Sequence, residues 1–261
     1  MKRILGMLAP LALVLAASPA SAQTSEIERA LQNTTWQIGT GVDYSSGRYG
    51  ASSNTTVLSV PVDIRVQIDR LRLEASIPYL DVKGPGAFTG GIVVGGGGAS
   101  STRSGIGDLT LGAAYLLSKD GTASPAFEIE GLVKVPTAAN NLGTGKTDYT
   151  LLANIYHSFT PRFMLFGSAG YQWLSNFNGY TLENGVMASA GVNFKPGRMT
   201  SIGVSVNYRE EYFHGLGEQF TVSPYLLWNF DKNWRISAYG TIGTTSASPR
   251  YGAGMRLIFT D

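Results

Sequence analysis

The stretch that decides the fold covers residues 104–149 and reads SGIGDLTLGAAYLLSKDGTASPAFEIEGLVKVPTAANNLGTGKTDY. Apolar residues occupy every second position from residue 109 to residue 117, and the same alternation returns from residue 127 to residue 135. The segment between them is short and polar and contains Asp120 and Gly121. A repeat of two residues is the period of a β-strand, so this stretch predicts two strands joined by a turn.

The opposite face of these two strands carries Asp108, Glu128, Glu130 and Lys134. A water-soluble sandwich would turn its apolar face toward a second sheet and these charges toward water. A barrel in lipid does the reverse, because its apolar face contacts acyl chains and its polar face lines a lumen. The rest of the chain decides between the two architectures.

The N-terminus has the composition of a secretory signal peptide. Lys2 and Arg3 precede an apolar run, which is interrupted by prolines and ends in the small residues Ala-Ser-Ala at 20–22. The run is too short for a transmembrane helix, so we predict a signal peptide at residues 1–22 that is cleaved on export. A periplasmic segment at residues 23–34 follows, and its pattern is compatible both with a short helix in a barrel mouth and with an irregular tail.

Without the signal peptide the chain is electrically neutral, because 18 basic residues remain against 18 acidic ones. This balance gives no indication of a nucleic-acid partner, and none is expected. The chain contains no cysteine, so no disulfide stabilises it. No apolar run beyond the signal peptide is long enough to cross a bilayer as a helix. Only a closed barrel then remains as a membrane-spanning structure, because lipid offers no partner to an unpaired backbone amide.

We predict about twelve strands after the N-terminal segment, each about as long as a tilted transmembrane strand requires. Aromatic residues concentrate near the strand ends, which is typical of the interfacial girdles of membrane barrels. The predicted strands are residues 36–44, 58–66, 71–79, 109–117, 127–135, 149–159, 163–173, 186–194, 202–208, 220–230, 234–242 and 251–259.

The connections between these strands alternate in length. Tight turns follow the even-numbered strands, whereas longer segments rich in glycine, serine and asparagine follow the odd-numbered ones, the longest at residues 81–103. Outer-membrane barrels have short periplasmic turns and longer extracellular loops, and a sandwich or a propeller has no reason for such alternation. The sequence therefore predicts an all-β fold, a transmembrane antiparallel up-and-down β-barrel of about 12 strands, over residues 35–261.

Three motifs in the central third of the chain resemble one family. They are GIGDL at residues 105–109, VKVPTA at residues 133–138 and LGTGKTDY at residues 142–149. By these motifs the chain resembles the outer-membrane β-barrel family of the phenol-degradation meta-pathway. The resemblance implies a barrel in the outer membrane of a Gram-negative bacterium that takes part in the uptake of small, often aromatic or hydrophobic, compounds.

The last predicted strand resembles the signal that the barrel-assembly machinery recognises. Gly254, Leu257 and Phe259 stand at its glycine and hydrophobic or aromatic positions, but the chain ends in Thr260 and Asp261 where that signal has an aromatic residue. The resemblance implies three partners: the barrel-assembly machinery, outer-membrane lipid and a small-molecule solute.

Three further patterns imitate enzymatic motifs. Residues 143–147 read Gly-Thr-Gly-Lys-Thr, but a phosphate-binding loop needs a glycine where Asn140 stands and a helix afterwards, where a strand is predicted. His157 and Ser158 are neighbours in a strand, so they point to opposite faces and cannot pair as a catalytic dyad. His214 lies in a loop with several glutamates, and a solvated cluster is the simpler interpretation there. We therefore expect no enzyme, no cofactor, no catalytic residue and no metal site.

The charges of the predicted lumen are the candidate functional residues, since they either brace the wall as ion pairs or form a constriction that selects a solute. Crowded carboxylates need a nearby cation, so we expect the acidic candidates to recruit Lys134 and some of the arginines across the bore. The candidates are Asp108, Glu128, Glu130, Lys134, Arg72, Arg209, Arg235 and Arg256, and the same face also carries Asp43, Asp63, Arg65, Glu74 and Asp148.

These features together predict a passive channel for small, in part hydrophobic or aromatic, compounds. Its passage is expected to be narrow, because about twelve strands lie between the eight whose side chains fill the bore and the sixteen that leave a water-filled one. Two alternatives stay open. One is a structural or adhesive barrel that binds partners through its external loops, and the other is an outer-membrane hydrolase.

Overall fold

The structure, a computed structural model, describes residues 34–51, 53–85, 87–89, 92–94, 101–119, 124–139, 142–177 and 181–261. Among these residues no helix has the length and apolar character needed to cross a membrane. The strands are β1 Thr34–Gly47, β2 Thr55–Ile68, β3 Leu71–Gly84, β4 Ala87–Thr89, β5 Ile92–Val94, β6 Ser101–Ile106, β7 Leu109–Ser118, β8 Ala126–Val135, β9 Asp148–Thr160, β10 Phe163–Trp173, β11 Gly185–Phe194, β12 Thr200–Arg209, β13 Gln219–Asn229, β14 Trp234–Gly243 and β15 Tyr251–Thr260.

Thirteen of these strands form one antiparallel sheet that closes into a barrel with twelve strand positions. β1 pairs with β2 on one edge and with β15 on the other, and the wall closes at β3. β3 pairs with β2 on one edge and with β6 and then β7 on the other. Only Gly107 and Asp108 separate β6 from β7, so these two strands share one position in the wall. Closure pairs the wall strands with their neighbours through backbone hydrogen bonds, which a membrane-spanning wall requires.

The two ends of the barrel differ in the length of their connections. At the turn end, residues 69–70 join β2 to β3 and residues 161–162 join β9 to β10. At the loop end, longer segments such as residues 136–147 and 210–218 join the strands. The predicted alternation of short and long connections is confirmed. The start of β1 and the end of β15 lie side by side at the same end of the barrel as the short turns.

The wall strands whose sequences alternate turn their apolar side chains outward. In β12, Ile202, Val204 and Val206 are exposed on the outer face, whereas Ser201 and Arg209 are buried on the inner one. The same alternation in the other strands gives an outer wall of exposed leucine, isoleucine, valine and aromatic side chains. Such a surface suits acyl chains, so the predicted facing of the strands is confirmed.

Aromatic rings pair across neighbouring strands at both ends of the outer wall. At the turn end the rings of Trp234 and Phe259 pack with their centroids 5.1 Å apart. At the loop end the rings of Tyr44 and Tyr251 stack at 6.2 Å. Rings that are apolar at one edge and polar at the other favour the two membrane interfaces, about one strand length apart.

Two sequence predictions need comment. The predicted signal peptide and almost all of the N-terminal segment lie outside the described residues, and β1 begins at Thr34, the last residue assigned to that segment. The predicted loop at residues 81–103 was too long, because β3 continues to Gly84 and β6 begins at Ser101, with the short β4–β5 hairpin between them. This part of the sequence is rich in glycine and serine and shows no clear alternation, so it gives no signal of a strand. It can still form strands, because any residue except proline can donate a backbone hydrogen bond to a neighbouring strand.

Candidate functional site

Small inward residues on β7 allow charged side chains from its two neighbours to meet. Ala114 lies opposite Arg72 of β3 on one side and opposite Glu130 of β8 on the other. A Cβ atom at Gly112 would lie 2.6 Å from Cγ of Glu74. Glycine is therefore needed at residue 112, and side chains of β3 and β8 contact each other across β7.

The central group is the Arg72 network, which consists of Arg65, Arg72, Glu74, Glu128 and Glu130. Nη2 of Arg72 lies 3.1 Å from Oε1 of Glu128 and 3.2 Å from Oε1 of Glu130. Nε of Arg72 lies 3.5 Å from Oε2 of Glu74, which also lies 3.3 Å from Nη2 of Arg65. Two guanidinium groups thus hold three carboxylates in the half of the lumen next to the turn end.

Asn154 completes this network from β9, where it lies opposite Glu128. Its amide nitrogen donates to Oε1 of Glu128 at 3.0 Å and to Oε2 of Glu130 at 2.8 Å. The side chain of Arg72 is 16% exposed, whereas that of Arg65 is 50% exposed. Ion pairs shielded from water interact more strongly, so Arg72 is the main cation of the network and Arg65 a peripheral one.

A second group, the Arg256 network, joins Asp43 of β1, Asp63 of β2 and Arg256 of β15. Nη2 of Arg256 lies 2.5 Å from Oδ2 of Asp43, and its Nε lies 3.4 Å from Oδ2 of Asp63. The Tyr239 hydroxyl donates to Asp43 at 2.6 Å, and the Ser76 hydroxyl donates to Asp63 at 2.6 Å. The carboxylates here outnumber the cation by one, as they do in the Arg72 network.

Cavities separate these groups inside the lumen. One of about 290 Å³ is lined by Asp63 and Arg256 and by Arg65 and Glu74, so it lies between the two networks. Another of about 280 Å³ lies nearer the loop end, with Asp43 and Tyr239 in its wall. Side chains therefore do not fill the bore completely.

A third group, the Lys134 cluster, is made of Asp108, Lys134 and Asp148. Nζ of Lys134 lies 2.8 Å from Oδ2 of Asp148 and 3.3 Å from Oδ2 of Asp108, and it donates to Oγ1 of Thr144 at 2.9 Å. Only 6% of the Lys134 side chain and 4% of each carboxylate side chain are exposed. Asp108 comes from the GIGDL motif, Lys134 from VKVPTA, and Thr144 and Asp148 from LGTGKTDY, so the three motifs converge on one buried site.

At the loop end, described residues of the long connections form two apolar clusters, the first of them together with inward side chains of β2 and β3. The first consists of Tyr49, Val57, Leu80, Val82 and Leu142, and the second of Leu174, Phe177, Leu182 and Tyr212. Burial raises the pKa of the Tyr49 and Tyr212 hydroxyls, so both tyrosines stay neutral at physiological pH. The loop-end mouth of the lumen is therefore narrowed by neutral, largely apolar side chains.

Two of the predicted arginines make their closest described contacts with neutral side chains. Arg209 is buried at the loop end, where it donates to Oε1 of Gln172 and lies over the ring of Tyr212 at 5.3 Å. Arg235 lies at the turn end and donates to Oδ1 of Asn229 at 2.7 Å. Neither belongs to the Arg72 network, the Arg256 network or the Lys134 cluster.

The structure thus divides the single cluster that we expected. Arg72 contacts Glu128 and Glu130, whereas Lys134 contacts Asp108 and Asp148. Glu130 and Lys134 are four residues apart on β8, which is about 13 Å along a strand, too far for a direct contact. The candidate list also lacked Asn154 and Thr144, since neutral hydrogen-bonding residues give no charge signal in the sequence.

Among the described residues, one group of side chains at the loop end has the spacing of a metal site. Glu183, Glu211 and His214 each offer one ligand atom, and these atoms lie within 4.8 Å of one another at the loop end. Nδ1 of His214 lies 3.5 Å from Oε1 of Glu183. His157, by contrast, packs its ring against Phe159 with the centroids 4.5 Å apart.

These features define a class of protein, a transmembrane β-barrel with an apolar outer wall and a lumen crossed by ion pairs. The chain belongs to the family described as "MetA-pathway of phenol degradation", whose model matches residues 65–260. The family resemblance of the central motifs is therefore confirmed. Among curated proteins, no sequence matches this chain.

Several solved structures share the barrel. An outer membrane channel from Pseudomonas putida F1 is 18% identical with a TM-score of 0.64, and the match covers 87% of this chain and 95% of that one. A KdgM porin is 10% identical with a TM-score of 0.55, covering 85% and 98%. The CymD monoaromatic hydrocarbon channel is 12% identical with a TM-score of 0.50, covering 95% and 94%. At these identities the likeness shows the fold.

Proposed function

We propose that this protein is a passive channel in the outer membrane of a Gram-negative bacterium, through which small, in part hydrophobic or aromatic, solutes diffuse. One observation carries the proposal. The outer wall is apolar, whereas the inner wall bears charges and leaves cavities of about 290 and 280 Å³. The solved barrels of similar fold include proteins named as an outer membrane channel, a porin and a monoaromatic hydrocarbon channel, which supports this role and this class of solute.

The proposal also includes an orientation of the barrel in the membrane and a set of partners. The loop end faces the outside and the turn end the periplasm, since short turns are periplasmic in barrels of this kind. The apolar wall contacts outer-membrane lipid, and β15 presents Gly254, Leu257 and Phe259 to the barrel-assembly machinery. Residues 1–22 act as the cleaved export signal.

We further propose that the lumen networks set a preference for cations. The Arg72 network, the Arg256 network and the Lys134 cluster each hold one carboxylate more than they hold cations. A narrow bore with an excess of fixed negative charge attracts cations and repels anions. In this proposal the residues that determine the preference are Asp108, Glu128, Glu130, Lys134, Arg72 and Arg256. Arg209 adds a positive charge at the loop end and Arg235 one at the turn end.

The test replaces Glu128 and Glu130 together by glutamine, which removes two charges at nearly constant volume. The reversal potential of the refolded channel in a salt gradient is measured before and after. We expect the cation preference to fall or reverse, because the Arg72 network then holds two cations and one carboxylate. The exposed carboxylates Glu218 and Asp231, changed to Gln and Asn, are the matched control. An unchanged preference in a folded double variant would show that these carboxylates only brace the wall.

A structural or adhesive barrel is the second candidate, and the packed loop end favours it. The two apolar clusters at that end would suit a rigid outer surface as well as a narrowed mouth. Ion conduction by the purified protein separates the two, since an adhesive barrel has no need of a permeable lumen. The hydrolase alternative has less support, because the similar solved barrels are named as channels and porins.

A further inference from the structure

Residues 142–144, called the lid below, lie against the inner wall at the loop end. Leu142 is only 1% exposed, and it packs in the first apolar cluster with Leu80 and Val82. Thr144 accepts a hydrogen bond from Lys134 at 2.9 Å. A Cβ atom at Gly143 would lie 2.5 Å from Oδ2 of Asp108, so glycine lets the lid backbone rest on that carboxylate. The lid thus occupies space in the lumen.

The lid is held without any charge of its own. The ammonium group of Lys134 is balanced by Asp108 and Asp148, and all three residues belong to the wall or to its strand ends. Removing one partner from a buried ion pair is strongly unfavourable, because an uncompensated charge remains. Departure of the lid removes the neutral hydroxyl of Thr144 from Lys134, whereas the two ion pairs of Lys134 with Asp108 and Asp148 do not involve the lid. The Lys134 cluster is therefore a fixed dock from which the lid can detach.

The remaining anchor of the lid is an apolar side chain in an apolar pocket. Val57, Leu80 and Val82 form the aliphatic wall around Leu142, and the ring of Tyr49 belongs to the same cluster. Pockets of this kind, when the leucine that fills them is absent, stay dry and bind molecules such as benzene. The leucine side chain consequently occupies a site whose chemistry suits a small hydrocarbon.

We propose that the Leu142 pocket is a binding subsite for small apolar molecules, and that such a molecule opens the lid by taking the place of the Leu142 side chain. This inference rests on the proposed channel function and names how one class of solute gates it. The ligand must compete with Leu142, so its apparent affinity is reduced by the fraction of time that the lid is closed. The Lys134 cluster returns the lid to its closed position when the ligand leaves.

The first experiment uses the absence of natural cysteines. Thr144→Cys places a single thiol on the buried lid of the full-length refolded protein, and its reaction rate with a hydrophilic thiol reagent is measured with and without benzene. We expect benzene to accelerate the reaction at least about tenfold, a factor that corresponds to about 1.4 kcal/mol. Ser248→Cys, equally buried but in the connection between β14 and β15, is the control and should react at an unchanged rate. The conductance of the unsubstituted protein with and without benzene is the second readout if Thr144→Cys does not fold.

The second experiment adds Leu142→Ala to the Thr144→Cys protein. Without the leucine side chain the lid loses its apolar anchor, so the thiol should react at least about tenfold faster in the absence of benzene and gain little more when benzene is added. In the protein that keeps Leu142, a rate that does not respond to benzene, or that rises equally at residue 248, would overturn the subsite. Conductance of the same proteins in planar bilayers keeps the two proposals apart: channels that conduct but ignore benzene leave the channel function standing, whereas folded protein that neither conducts nor responds refutes both.

Discussion

Arg72 shows why a single residue can organise this lumen. Its planar guanidinium group presents donors in several directions, so one side chain approaches Glu74, Glu128 and Glu130 at 3.1 to 3.5 Å. A lysine would offer a single point charge in place of this fork. Because the three carboxylates lie close together, their repulsion is offset mainly by Arg72 and by the amide of Asn154.

The first prediction removes this cation. Arg72→Met should lower the free energy of unfolding by about 3 kcal/mol or more, because it leaves buried carboxylates without their main partner. Arg65→Met is the matched control, since Arg65 is half exposed and contacts only Glu74 within this network. Its cost should stay below about 1 kcal/mol. Urea unfolding of the refolded barrel measures both, and equal losses would contradict the hierarchy within the Arg72 network.

At this scale the sequence predicts which residues face the lumen but not which of them meet. The alternation within β8 assigns Glu128, Glu130 and Lys134 to one face, and the structure agrees. The partners of these residues depend on the register between strands, which sets Lys134 opposite Asp148. Nor does periodicity describe a loop, so the contact of Thr144 with Lys134 has no sequence signal except the motif that contains it.

Among the elements, β12 and β13 illustrate how the inner wall is packed. The ring of Tyr225 on β13 lies over Gly203 of β12, and its hydroxyl reaches Asn193 of β11 at 3.2 Å. A Cβ atom at Gly203 would overlap both the ring of Tyr225 and the carbonyl oxygen of Val192. The absence of a side chain at Gly203 therefore leaves the space in which the Tyr225 ring packs as it reaches from β13 across β12 to β11.

The second prediction tests whether the Tyr225 ring needs the space at Gly203. Gly203→Ala should destabilise the barrel by about 1–3 kcal/mol, because the added methyl group must displace the ring or the backbone. Gly131→Ala is the control, since no atom lies within 4 Å of a Cβ atom built there, and its effect should stay within about 0.5 kcal/mol. The stability of the two variants is compared by heating them and monitoring unfolding through the change in their electrophoretic mobility. Comparable stability of the two variants would mean that the Tyr225 ring has room elsewhere.

The third prediction concerns the facing of β12. Val204 is 38% exposed on the outer wall, so Val204→Arg should cost about 2–4 kcal/mol at mid-bilayer depth and impair folding into lipid vesicles. Ser205→Arg, one residue along on the inner face, should fold nearly as well as the parent protein. Folding yield into vesicles is the measurement. Equal damage from both substitutions would indicate a dry, packed interior instead of a lumen.

Strands with a clear alternation were predictable from sequence, and those without it were not. The predicted strand at residues 202–208 corresponds to β12, Thr200–Arg209, because valine and isoleucine alternate there with serine and asparagine. β6, Ser101–Ile106, has the sequence STRSGI without an apolar face, so the sequence places its first three residues in the long loop and predicts no strand there. It is held by backbone pairing with β3, and the composition of a strand does not report such pairing.

For the whole molecule, orientation in the membrane is the fourth prediction. A protease site inserted at Gly215 lies at the loop end, and one inserted at Gly197 lies at the turn end; a Cβ atom at either glycine would meet no other atom within 4 Å. Protease added to intact cells should cleave the insertion at residue 215 and spare the one at residue 197. Cleavage at residue 197 alone would show that the turn end faces the outside, which is the opposite orientation.

The central claim is that the lumen conducts, and single-channel recording in planar bilayers tests it most directly. Refolded protein whose barrel is intact should produce discrete conductance steps, because the cavity between the Arg72 and Arg256 networks and the one nearer the loop end leave space for water and ions. The steps should be small, since about twelve strands enclose a bore narrower than that of a sixteen-stranded porin. Folded, membrane-inserted protein that gives no steps across the accessible range of voltage would contradict the account.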